Sequence, residues 1–284
     1  MEITTQTPPF NLDSIMVDNN NINKEVIQDE KGPVIASQYQ PETDNIVCEL
    51  NPAQFDGLVK ILNKLTSADF INIQNSSLIY NQQGIIVLFN LQSIHPNINL
   101  HISNAKNLTR ILKTIDSNNN VFVVQDEENC RYVIDNGEIK LFLPMLAMEL
   151  EQESFPDLSN HTVINEIELD STQIKKLQNL CKDAEHIEYL FDDNNNCKGV
   201  YIYEQALYIF PQYLNEPDIN KFNESTASLA LRSNKFPTFE AEKYQLVFLK
   251  DPSNMYSLYV KIHSFVEISW YESLQNTTGG NVLI

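Results

Sequence analysis

The sequence predicts an α+β chain of two similar domains, dominated by antiparallel sheet. Three observations predict it. Short runs rich in Ile, Val, Tyr and Phe recur along the 284 residues. Few segments show the i, i+3, i+4, i+7 apolar spacing of an amphipathic helix. One order of elements occurs twice, in residues 45–145 and again in 161–272: strand, helix, three strands, a second helix-like element, more strands.

Residues 1–43 contain TPP, DNNNIN and DEKGP, which break any period, and read as a loosely ordered extension. The first domain spans 44–145. It starts with the strand NIVCEL and the helix NPAQFDGLVKILNKLT, where Pro52 suits the first turn because its missing N–H costs little. The strands FINIQ, SLIYN and GIIVLFNL follow, then a helix in NAKNLTRILKTID. VFVVQ, CRYVID and NGEIKLFLP close the domain, with Asn136-Gly137 predicting a type I′ hairpin turn.

Residues 146–160 form a linker. The second domain, 161–272, opens with the strand TVINEIEL and the helix DSTQIKKLQNLCKDAEH, N-capped by Asp170 or Ser171. Strands in IEYLFDD, GVYIYEQ and ALYIFPQ follow. STASLAL reads as a strand entering a short helical turn near 232–239. YQLVFLK, YSLYVKIH and FVEISWYES end the domain, and 273–284 reads as a frayed tail.

Acids outnumber bases 38 to 19, for a net charge of −19. Such an average surface repels polyanions. The placement of the few cations therefore matters more than their sum. In NAKNLTRILKTID, Leu108, Ile111, Leu112 and Ile115 make one helix face, and Lys106, Arg110 and Lys113 lie opposite. In the first helix Phe55, Leu58, Val59 and Leu62 face in, with Lys60 and Lys64 across from them. In the third, Ile174, Leu177 and Cys181 face in, Lys175 and Lys182 face out, and Lys176 sits nearer the border. The fourth element carries Arg232 and Lys235. Lys is a good helix former, so one such face is ordinary. Four faces almost without acids are not, because surface helices usually mix signs for i,i+4 pairing. The pattern points to a protein that holds a polyanion on basic helix faces, through phosphate contacts without sequence readout.

With those helices in view, the chain resembles a DNA sliding clamp, the polymerase processivity factor of tailed phages, archaea and eukaryotes. The resemblance rests on the doubled plan, the Lys/Arg-faced helices, and the acidic remainder. It rests also on the endings IDNGEIKLFLP and LALRSNKFPTFEAEKYQLVFLK…YSLYVKIHSFVEISWYES. It covers residues 45–272. It implies antiparallel sheets on the outside and two helices per domain on the inner face of a head-to-tail homotrimeric ring around double-stranded DNA, read without sequence preference. Lys60, Lys64, Lys106, Arg110, Lys113, Lys175, Lys176, Lys182, Arg232 and Lys235 would line the channel. The implied partners are a DNA polymerase and an ATP-dependent clamp loader. Partner peptides would enter an apolar pocket near Met145, Leu146, Phe155, Tyr208, Phe210 and Pro252.

Other classes lack sequence support. Seven glycines form neither GxGxxG nor a P-loop, and no HExxH or paired Cys/His spacing suggests zinc. DDNNNCKG lacks the sixth-place Gly and twelfth-place Glu of a calcium loop. The five histidines are isolated, and the acids of DEEN and ELEQE fall in a turn and the linker. No cofactor and no enzymatic activity are expected. The four scattered cysteines, the absence of a basic and apolar leader and the absence of an ~18-residue apolar run predict a reduced, cytoplasmic protein with no membrane contact, in the host cytoplasm if phage-encoded. The rival reading is a virion structural or assembly protein with a double β-domain.

Overall fold

The computed structural model describes residues 45–65, 68, 70–103, 108–115, 118–146, 154–203 and 205–278. In chain order the elements are β1 (Ile46–Leu50), α1 (Pro52–Leu62), β2 (Phe70–Gln74), β3 (Ser77–Gln82), β4 (Ile85–Asn90), β5 (Leu100–Ser103), α2 (Leu108–Leu112), β6 (Val121–Asp126), β7 (Arg131–Asp135) and β8 (Lys140–Pro144). Then come β9 (Thr162–Asp170), α3 (Ser171–Leu180), β10 (Ile187–Phe191), β11 (Cys197–Ile202), β12 (Ala206–Ile209), β13 (Leu229–Ser233), β14 (Lys243–Lys250), β15 (Tyr256–His263) and β16 (Glu267–Asn276). The pairings described below are antiparallel, and the fold is α+β.

The chain divides into two compact units: Met1–Ser76 with Ile94–Leu150, and Ser77–Ser93 with Glu151–Ile284. In the first, β1, β6, β7 and β8 make a four-stranded sheet. β5 pairs with β2, and Met145, just past β8, bridges to Ile102 of β5. In the second, β9, β14, β15 and β16 repeat that sheet. β13 pairs with β10 as β5 does with β2, and joins β16 through Leu231–Asn276 and Arg232–Gln275. The same wiring therefore occurs twice. α1 and α3 occupy the same place after the first strand of each repeat.

The hairpin β3–β4 departs from the expected contiguous first domain. β4 pairs with β16 from Asn90–Glu267 to Ile85–Glu272, and Ser93 Oγ donates to the Phe265 carbonyl. Those bonds tie residues 77–93 to the second unit.

Four local expectations are corrected. Residues 232–239 contain no helix: Arg232 lies in β13, and the chain from Asn234 to Glu240 is extended or irregular. Pro237 has no N–H to give a helix. Phe236 stacks on Tyr244, Phe239 meets Phe89 edge-on, and Gln178 Nε2 donates to the Pro237 and Phe239 carbonyls at 3.1 and 2.9 Å. Tertiary contacts hold this segment open, so among the described residues the second unit has α3 as its one α-helix, with two short 3-10 turns at Pro211–Tyr213 and Ile219–Lys221, where two helices were expected. Next, β5 is a strand the sequence reading left out. Third, the Asn136-Gly137 turn is not a two-residue hairpin, because the last pair is Asp135–Lys140. The Asn136 side chain caps the N–H groups of Glu138 and Ile139, which opens the turn to four residues. Fourth, β16 runs into the expected tail as far as Asn276, and the Thr277 N–H bonds to the Ala230 carbonyl.

Each core lies under its helices and between its strands. Leu50, Phe55, Leu58, Ile71, Ile73, Leu100 and Leu112 are buried in the first unit; Tyr189, Phe191, Tyr244, Leu246, Phe248 and Leu258 in the second. Tyr189 and Phe191 both meet Phe248 edge-on. Burying such a side chain stabilises by about 1.5–3 kcal/mol.

Candidate nucleic-acid interface

In the first unit, α1 starts at a capping box. Asn51 Oδ1 accepts from the Gln54 N–H at 3.0 Å, and Gln54 Oε1 accepts from the Asn51 N–H at 2.8 Å. This fixes the helix phase. Phe55, Leu58, Val59, Ile61 and Leu62 are buried, which leaves Lys60 and Lys64 exposed. Lys60 is 2.7 Å from Asp56 one turn earlier, but both side chains are more than half exposed. Such a pair is worth little and leaves the cation available. On α2, Leu108 and Leu112 are buried and Arg110 is exposed. Lys113, in the following turn, donates to Asn63 Oδ1 at 3.3 Å. That bond sets the turn after α2 beside the end of α1, so Lys64 and Lys113 gather at one place. Lys106 lies outside the described residues.

In the second unit, Asp170 caps α3, taking the N–H groups of Thr172 and Gln173 on Oδ1, while Gln173 returns a bond to the Asp170 N–H. Ile174, Leu177 and Cys181 are buried; Lys175, Lys176 and Lys182 are exposed. Lys176 Nζ lies 5.3 Å above the Tyr208 ring, within cation–π reach. Within the described bodies of the three helices the sole acid is Asp56.

Arg232 does not join this set. Its Nε and Nη2 donate to Glu188 Oε1 at 3.2 and 2.9 Å, in a largely buried pair between β13 and β10. Lys235 is exposed, but on the extended segment after β13. Strand alternation in LALRS was the signal for placing Arg232 on a sheet.

The six apolar candidates scatter. Met145 and Leu146 are half-buried and tied to the first unit's corner, through Met145 N–H to the Cys130 carbonyl and Leu146 N–H to the His101 carbonyl. Tyr208 and Phe210 are buried and meet edge-on, with Tyr208 beneath Lys176. Pro252 is exposed in the β14–β15 turn. Phe155 is the one on a partly open apolar surface. Its ring meets Tyr259 at 6.0 Å and Tyr271 at 6.3 Å, both edge-on. Sequence reasoning missed these two tyrosines. The alternation in ISWYES, with Trp270 buried and Tyr271 half-buried, was the available signal.

Burial pushes the Cys48 and Cys181 thiols up to about 12, far from a nucleophile's range. Lys198 is buried. Burial alone would lower its pKa, but hydrogen bonds and charge from Glu216 and Asp192 outweigh that and raise it. Among the described residues no group of three or more His, Cys, Asp or Glu is placed to hold a metal, and no helix is long and apolar enough to cross a membrane.

No family model and no curated protein matches this sequence. Among solved structures, the chain is similar to the PCNA2–PCNA3 complex from Sulfolobus tokodaii, at 10% identity and a TM-score of 0.48, over 80% of this chain and 98% of that one. It is similar also to A. fulgidus PCNA with the C-terminal region of FEN-1 bound, at 10% identity and a TM-score of 0.49, over 81% of this chain and 98% of that one. Superpositions of this quality say nothing of binding, so the functional case stands on the residues themselves.

Proposed function

We propose that the chain is a non-enzymatic sliding clamp, which encircles duplex DNA as a ring of identical copies and tethers a DNA polymerase. One observation carries the reading: among the described residues, exposed Lys60, Arg110, Lys175 and Lys176 sit on three helices whose bodies hold Asp56 as the sole acid, and exposed Lys64, Lys113 and Lys182 follow in the turns at their ends, the last beside exposed Asp183, in a chain of net charge −19. Phosphate contacts there supply affinity without sequence readout, and an acidic remainder keeps the duplex from sticking elsewhere. Retention comes from topology, so each contact can stay weak. Tethering raises the polymerase's effective concentration at the primer end.

Ring closure has support in the strand edges. Among the described residues, β12 is paired by β11 alone, and its sequence Ala206-Leu207-Tyr208-Ile209 has no charge and no proline. Edge strands left to solvent are usually blunted by such residues, as β9 is by Glu166 and Glu168. By position in the repeat, β12 corresponds to β4 and β8 to β16. The β4–β16 pairing inside one chain is thus a template for β12 on β8 of the next copy. A head-to-tail contact of this kind closes into a ring; three copies is the number the family resemblance implies. A loader ATPase would open it. Partner peptides would dock on the Phe155–Tyr259–Tyr271 surface.

The test is retention on a circular plasmid. The protein is loaded on nicked circles and passed through a sizing column at high salt, before and after linearisation. A clamp co-elutes with circles and is lost from linear DNA. Equal loss from both would sink the reading, and a large assembly that ignores DNA would favour the virion alternative.

A further inference from the structure

We propose that the seam between copies has a register of its own: Leu207 of one copy sits opposite Phe142 of the next, two residues displaced from the pairing that β4 makes with β16 inside a chain. The proposal rests on the ring reading above and deepens it by fixing which residues meet.

Backbone direction limits how β12 can lie on β8. The Phe210 N–H bonds to the Lys198 carbonyl of β11, so by alternation the N–H and C=O groups of Leu207 and Ile209 point to the open edge. On β8 the Met145 N–H bonds to the Cys130 carbonyl beside β7, which turns the groups of Lys140, Phe142 and Pro144 outward. Leu207 and Ile209 must therefore face Lys140, Phe142 or Pro144. Side-chain burial agrees. Tyr208, Leu141 and Leu143 are buried on the core side, whereas Leu207, Ile209 and Phe142 are half open. Antiparallel registers two residues apart satisfy both conditions, and a slip of one residue satisfies neither.

Counted from the turns, the internal template would put Leu207 on Pro144. Ile86, the second residue of β4, lies on Tyr271, four beyond the Glu267 that opens β16. Leu207 is the second residue of β12, and Pro144 is four beyond the Lys140 that opens β8. Pro144 cannot serve, because it has no N–H and its carbonyl already accepts from Ser103 Oγ at 3.4 Å. Ala206 would then fall on Met145, which already bridges to Ile102 of β5. On β16 the two neighbours stay apart, since β4 ends its pairing at Glu272 and β13 begins at Gln275. The open edge of β8 is thus 140–143. Its residues match those of β12 one for one: Ala206 on Leu143, Leu207 on Phe142, Tyr208 on Leu141, Ile209 on Lys140. Every outward N–H and C=O in those pairs gains a partner. Leu207 lands on the Phe142 ring, which Arg131 backs at 4.1 Å, and Ile209 lies along the methylenes of Lys140, whose ammonium stays with Asp135 at 3.4 Å.

The test is disulfide trapping between copies of the full chain, in a Cys130→Ser background that removes the exposed thiol. Opposed residues that exchange two hydrogen bonds have Cα atoms about 5.5 Å apart, within disulfide reach, and diagonal ones about 7–8 Å, beyond it. Under mild oxidation, Leu207→Cys with Phe142→Cys should give covalent multimers on a non-reducing gel. Ile209→Cys with Phe142→Cys should give about tenfold less. The reverse order of yields overturns the displaced register. Equal yields overturn it too, because the seam would then slip, and multimers from neither pair overturn the seam itself. The natural chain gives a second readout: hydrogen exchange at the Leu207 and Ile209 amides should slow by about tenfold or more when dilute copies assemble. Unchanged exchange overturns the seam without any substitution. Neither measurement involves DNA. Trapped multimers that are lost from circular plasmid would sink the clamp reading alone, and retention on circles without trapping would sink only the seam.

Discussion

Lys113, in the turn after α2, donates to Asn63, at the end of α1, across 3.3 Å. The bond brings the ends of the two helices of the first unit together, with exposed Lys64 beside it. Reversing Lys60 and Arg110 there, together with Lys175 on α3, to Glu should abolish processive synthesis with a cognate polymerase. Thermal unfolding should move by only a few degrees, since exposed substitutions of this kind usually stay within about 0.5 kcal/mol each. Retained processivity at ordinary salt would reject the channel assignment.

Arg232 gives the opposite expectation. Its partner Glu188 would be left unpaired and largely buried by Arg232→Ala, at a cost of about 1.5–3 kcal/mol, the range for hydrogen bonds to charged groups. Urea unfolding should register that loss while DNA retention stays as in the parent.

Glu272 is buried in β16, with Ser233 Oγ donating to Oε2 at 2.5 Å and the Asn234 N–H to Oε1 at 2.8 Å. Burial raises its pKa above the ordinary 4.5, and the bonds from Ser233 and Asn234 only partly offset this. A carboxyl with a raised native pKa contributes stability that is full below its unfolded pKa. That contribution fades as pH rises through the native value. Glu272→Gln removes the charge; its Oε1 still accepts from the Asn234 N–H, and its Nε2 donates to Ser233 Oγ, whose hydroxyl turns to the Lys235 carbonyl. The stability difference, variant minus parent, should therefore grow in the variant's favour from pH 4 towards neutrality. A pH-independent difference would contradict the burial argument.

Leu207 is half-buried on the open edge strand β12. Leu207→Lys places a charge where a second copy would pair. Light scattering should then report monomers at concentrations where the parent assembles, with the unfolding midpoint matching that of the parent diluted below assembly. A variant that still assembles would point to another interface.

Much of this was legible in the chain itself. The helix faces of α1 and α3 followed from apolar spacing, and the cap of α3 was narrowed by residue type to Asp170 or Ser171, of which Asp170 makes the bonds, because both are local physics. Arg232 was misplaced because RSNKFPTF is polar enough to pass for a helical turn. What holds it extended lies far off in sequence, in Gln178, Tyr244 and Phe89. β5 was missed because it is four residues long, behind a polar stretch containing Pro96. The Phe155 surface was half seen. Phe155 itself is conspicuous, but Tyr259 and Tyr271 become its neighbours only through strand register, which no single-chain pattern reveals.

The lengths of the strand edges carry a consequence for how such a ring would behave. Within a chain, β4 lies on β16 through six residue pairs. Between copies, β12 offers only four residues. A necklace made this way has strong links and weak clasps. It would come apart between beads and never within one, so whatever machine threads it onto DNA needs to pry at one short seam and leave the rest of the circle alone.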